Sequence, residues 1–94
     1  KILVSNVNLT NETTSPKLSA AIKNNSIFTI LDVDFITILY DKNGNAISAS
    51  RTYLSQLNSF QDTEINFTWP EPLPGIVVVK EIIPMYNIFY IKLQ

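Results

Sequence analysis

A two-residue repeat of apolar side chains runs through most of this chain and leaves little room for helices. In Thr63–Trp69, the residues Ile65, Phe67 and Trp69 fall on one parity, with Glu64, Asn66 and Thr68 on the other. Lys17–Asn24 repeats the pattern with Leu18, Ala20 and Ile22, and Phe89, Ile91 and Leu93 repeat it near the end. Alternation of this kind places successive side chains on opposite faces of an extended strand. No sustained i, i+3, i+4 spacing competes with it. The chain therefore reads as all-β.

Two segments depart from simple alternation. Val33–Tyr40 is apolar on both faces: Val33, Phe35 and Leu39 on one, Ile36, Ile38 and Tyr40 on the other. That pattern predicts a central strand covered on both sides, or one whose second face meets a neighbour. Ile2–Leu9 changes phase, since Ile2 and Val4 share one parity and Val7 and Leu9 the other. A bulge near Ser5 reconciles the two halves, as does a first strand that switches between sheets.

Turn residues divide the chain into about seven strands, over 1–9, 17–24, 32–40, 46–54, 63–69, 76–83 and 86–93. Asp41-Lys42-Asn43-Gly44-Asn45 is the strongest turn signal, because Asn-Gly tolerates positive φ and favours a tight hairpin. Pro70, Pro72 and Pro74 stop the strand that ends at Trp69, and Pro84 is expected to separate the sixth strand from the last. Turns every 8–12 residues or so are the spacing of a β-sandwich. With 94 residues, the expectation is one domain over 1–94. A chain opening at Lys1 rather than Met reads as a processed product or a piece of a longer protein.

Composition excludes several functions. The net charge is −1 and the seven basic residues are scattered, so no basic stripe gathers phosphates; no nucleic-acid partner is expected. With no Cys there is no disulfide framework and no thiolate metal site. With no His, the commonest general base and metal ligand are both missing. No apolar run approaches the roughly 20 residues of a spanning helix. No cofactor, metal or catalytic residue is expected, and the chain reads as a non-enzyme.

Each candidate site has a simpler reading beside it. Asp41, Asn43 and Asn45 resemble the opening of a calcium loop, but that loop needs Gly at its sixth position and Glu at its twelfth; here Gly44 is fourth and Thr52 twelfth. A polar hairpin turn fits better. Asp32 and Asp34 share one side of a strand and could hold a cation, yet no third ligand lies near in sequence; solvated carboxylates are the plainer reading. Trp69, Tyr86 and Tyr90 are the aromatic candidates for a contact platform, although Trp69 shares the core parity of Ile65 and Phe67. Asn8, Asn11, Asn24 and Asn66 each begin an Asn-X-Ser/Thr triplet, the acceptor pattern for N-linked glycans.

The middle of the chain resembles a known family. Val33-Asp34-Phe35 followed by Leu39-Tyr40-Asp41-Lys42-Asn43-Gly44-Asn45-Ala46-Ile47 is similar to the FxLYD-type domains of bacteria and archaea, in which an apolar strand ends in Leu-Tyr-Asp before a Gly-containing turn. Ala21-Ile22-Lys23-Asn24-Asn25-Ser26 upstream, and Thr52-Tyr53-Leu54-Ser55-Gln56-Leu57 with Thr63–Phe67 downstream, look like the family's flanking strands. Phe67-Thr68-Trp69-Pro70-Glu71-Pro72 is similar to a terminal domain of membrane-anchored proteins from uncultivated small-genome bacteria. Where the family often has Pro-Gly before its return strand, this chain has Asn58-Ser59-Phe60. The resemblance implies an immunoglobulin-like, fibronectin type III-like sandwich placed outside the cytoplasmic membrane and anchored by segments beyond these residues. It carries over no catalytic residue.

The expected role is thus a non-catalytic surface or envelope module: a spacer, an accessory domain or a protein-interaction domain. Its partner would be another protein or the rest of its own chain. Self-association through edge strands is part of that expectation, with Ile2–Leu9 or Asn87–Leu93 as the edge. The alternatives are a carbohydrate-binding module, which requires coplanar exposed aromatics, and a filament subunit that donates a strand.

Overall fold

The computed structural model describes residues 1–86 and 91–93 and shows no helix among them. Six strands of seven residues or more build two antiparallel sheets: β1 (Ile2–Thr10), β2 (Lys17–Asn24), β3 (Phe28–Tyr40), β4 (Ala46–Leu57), β5 (Asp62–Thr68) and β6 (Val79–Met85). A three-residue strand, β7 (Ile91–Leu93), is added beside β3. One sheet has the order β1-β2-β5 and the other β4-β3-β6. The all-β reading holds, in a sandwich-like arrangement with β4 across from β5 and β1 across from β6.

The core explains why these strands form. Leu18, Ala20 and Ile22 of β2 lie beside Phe67, Ile65 and Thr63 of β5. Facing them are Ile30, Val33, Phe35 and Leu39 of β3, with Leu57 of β4. All but the half-buried Thr63 are buried in one cluster, together with Trp69. Full burial of each large apolar side chain contributes roughly 1.5–3 kcal/mol. The parity of β2, β3 and β5 is therefore set by this single interior.

The phase change in the first strand is a bulge. Ser5 pairs with Ala21 and Asn8 with Ser19, so Asn6 and Val7 together oppose Ala20. Asn6 takes φ 51° to do so. The extra residue turns both Val4 and Leu9 toward the core.

The tight hairpin forms, while two strand boundaries need correction, the third strand starting at Phe28 rather than residue 32 and the sixth shifting at both ends. The hairpin after β3 uses positive φ only at Gly44, where φ is 80°. Asn43 is held instead by its backbone N–H, which donates to Asp41 Oδ1 at 2.9 Å. The sixth strand begins at Val79 rather than residue 76, and Pro84 lies inside it rather than beyond it. Pro84 pairs with Phe35 at the edge of the sheet, where a missing N–H breaks no bond to β3. The 58–62 connection is a tight turn: Gln61 N–H donates to the Asn58 carbonyl at 3.0 Å, and Phe60 adopts φ 56°.

β6 and β7 share one side of β3. β6 pairs with Asp34–Tyr40 and β7 with Phe28–Ile30. β4 occupies the other side from Ile30 to Tyr40. Asp32, with φ 54°, stands between the two pairing stretches.

One buried group in β3 lacks a partner. Thr29 Oγ1 is buried with no hydrogen bond among the described residues. Replacing Thr29 by Val removes that unmet donor, so we expect the unfolding free energy to rise by about 1 kcal/mol, read by urea denaturation. A loss of stability would show that the hydroxyl is bonded in solution.

Candidate interaction surface

Beyond Asp32, β3 turns Val33, Phe35, Thr37 and Leu39 into the core, so its even-numbered residues from Asp34 to Tyr40 face outward. Across the sheet these outward residues line up in rows. Tyr53 of β4, Asp34 of β3 and Met85 of β6 form one row; Arg51, Ile36 and Ile83 form the next. Ala49, Ile38 and Glu81 follow, then Tyr40 beside Val79. The rows make an apolar face, with Tyr53, Val79 and Met85 each about half exposed (52%, 52% and 51%). Such a contiguous patch on the surface of a small domain marks a contact site more often than isolated apolar residues do.

Every charged group on this face is already engaged. Arg51 Nη2 and Nε both lie 3.0 Å from Asp34 Oδ1. The Tyr53 hydroxyl donates to Asp32, and the Tyr40 hydroxyl donates to Glu81 Oε1 at 2.7 Å. Both phenols are pushed above the ordinary tyrosine value of 10.0, first by these hydrogen bonds and then by desolvation and the nearby negative charge. The ion pair lies on the surface and adds under about 1 kcal/mol. It cancels one charge of each sign, while Asp32 and Glu81 keep theirs beside neutral phenols.

The opposite sheet presents a different surface. Outward from β1, β2 and β5 stand Asn8, Ser19 and Asn66 in one row and Thr10, Lys17 and Thr68 in the next. This face is mostly polar and solvated, with Leu3 and Val7 of β1 as its exposed apolar residues. The contrast gives the domain one wet face and one apolar face.

Trp69 is 9% exposed, packs into the core, and donates from Nε1 to the Ala49 carbonyl at 3.2 Å. Tyr86 is half-buried against the same core. Tyr90 lies outside the described residues. Asp32 and Asp34 each have their own partner, and no cluster of three metal-ligating side chains occurs among the described residues. Asp41 Oδ1 accepts from the backbone N–H groups of Asn43 and Asn45 (2.9 and 3.0 Å), so it organises the turn. Of the four glycan-acceptor triplets, Asn8, Asn11 and Asn66 are exposed. Asn24 is fully buried with its side-chain amide hydrogen-bonded.

Tyr53, Val79 and Met85 were not singled out by sequence reasoning. Their signal was the double-sided apolar pattern of Val33–Tyr40, which implied that something lies on the second face but not which neighbours share it. Comparison with protein-family models, curated proteins and solved structures finds no match to the chain.

Proposed function

We propose that this domain is a non-catalytic module of extracytoplasmic, immunoglobulin-like type that binds another protein through the outer face of β4-β3-β6. The observation that carries the reading is the exposed apolar row structure around Ile36, Ile38, Ile83 and Met85. The strand arrangement supports the immunoglobulin-like assignment, since three strands face a second sheet built around a long central strand. The resemblance to FxLYD-type domains supports both that fold and a place outside the cytoplasmic membrane.

The apolar centre of the face fits another apolar sheet face. A second copy of the chain offers one, and two copies can meet over Ile36, Ile38, Ile83 and Met85 provided the exposed Asp32 and Glu81 carboxylates stay in water. Light scattering over a dilution series is expected to show a dimer that dissociates on dilution. Met85→Glu with Ile83→Glu should shift it to monomer with its far-ultraviolet spectrum unchanged. A wild-type monomer at every concentration would remove the second copy as the partner.

A further inference from the structure

The core is closed unevenly. Nine half-buried apolar side chains flank it among the described residues. Five of them, Ile2, Val4 and Leu9 of β1, Ile82 of β6 and Tyr86 just after it, line the side where β1 lies across from β6. Ile47 and Leu54 come from β4 on the opposite side, and Leu73 and Val77 from the connection between β5 and β6.

The backbone beside that seam is open as well. Among the described residues β6 is the last strand on its side of the sheet, and β7 pairs with β3 rather than with β6. Pro84 has no N–H to give Phe35, so Phe35–Pro84 is a pair without mutual hydrogen bonds. By strand alternation Lys80 and Ile82 then point their backbone N–H and C=O groups away from β3. Thr37 Oγ1, which donates to the Glu81 carbonyl at 2.9 Å, agrees with the odd residues facing β3.

From these two observations we infer that the β6 edge accepts an added strand from another polypeptide, apolar at alternate residues and uncharged on its inward side. Backbone bonds to Lys80 and Ile82 fix its direction and register. Its apolar side chains cover Ile2, Val4, Leu9 and Ile82 and complete the core. Pro84 ends the pairing by offering no donor beyond Ile82, and it also discourages edge-to-edge association of β6 with itself. Apart from Lys80 at one end the seam is lined by apolar groups, so a strand carrying several carboxylates there would bury most of them unpaired. The inference uses a different surface from the face proposed above and stands or falls separately from it.

The test is titration of the whole chain with a capped peptide of alternating Thr and Val, about seven residues long, followed by amide hydrogen exchange. The expected result is binding with slowed exchange at Lys80 and Ile82. A peptide of alternating Thr and Glu should not bind. Lys80→Pro, which removes an outward N–H and no bond to β3, should weaken binding roughly three- to tenfold. Met85→Glu should leave peptide binding unchanged. No binding, equal binding of the Glu peptide, or binding that leaves Lys80 and Ile82 unprotected would overturn the inference. Loss of binding in Met85→Glu would assign the peptide to the outer face and overturn the inference as well.

Discussion

Replacing Asn24 with Ala should lower the unfolding free energy by roughly 3–4 kcal/mol, close to the effect of emptying part of the core. Asn24 is fully buried at the end of β2. Its Nδ2 lies 2.6 Å from the Phe28 carbonyl and 3.1 Å from those of Leu57 and Asn58. Two N–H bonds are thus shared among three acceptors, and Oδ1 accepts from Ser26 Oγ at 2.7 Å. One side chain ties the β1-β2-β5 sheet to both β3 and β4. Alanine leaves the buried Leu57 bond unmade and takes a donor from the part-buried Phe28 and Asn58 carbonyls. Asn24→Asp should be worse than Ala at neutral pH, because a carboxylate donates nothing and faces three carbonyl oxygens. Burial raises the folded pKa of such an Asp above its unfolded value. Its best stability therefore lies below about pH 4 and is lost as the pH rises through the folded value. Urea denaturation across pH checks both statements; an Asp variant as stable as wild type at neutral pH would refute the bonding scheme.

Phe35→Ala should cost about 3–5 kcal/mol, a large share of the roughly 5–15 kcal/mol that holds a domain of this kind together. Phe35 is fully buried in the middle of β3, between the two sheets. Its neighbour Ile36 is equally apolar but faces outward and is only half-buried. Ile36→Ala should cost less than half as much, by thermal or denaturant unfolding. The pair tests the sidedness of β3 directly: equal losses would mean that the outer face is covered in the isolated chain.

Much of this architecture was legible in the sequence because one-sided burial writes itself as a period of two. Ile65 and Phe67, Leu18 and Ile22, and Phe35 and Leu39 all face where their parity places them. The bulge in β1 was legible for the same reason, since only an extra residue lets both Val4 and Leu9 face inward. What was hidden depends on partners far away in the chain. Pro84 reads as a strand breaker locally, and only its place at a sheet edge makes it tolerable. Asn24 reads as a strand end or a glycan acceptor, and its role follows from carbonyls up to 34 residues away. The apolar face was half legible: Ile36 and Ile38 announced a second surface, but the rows with Tyr53, Ile83 and Met85 arise from pairings that no local pattern encodes.

The outer strands also determine how the domain would respond to tension. The Lys1 carbonyl accepts from the Asn25 N–H at 2.7 Å, while Leu93 pairs with Phe28, only three residues further along the same turn. Both ends of the described chain thus meet at one tip of the molecule. A pull between them runs across the strands and opens the β1–β2 and β3–β7 bonds one after another, like a zip, instead of shearing a whole ladder at once. Mechanically the domain is a pendant that yields early, not a rod that carries load along its length.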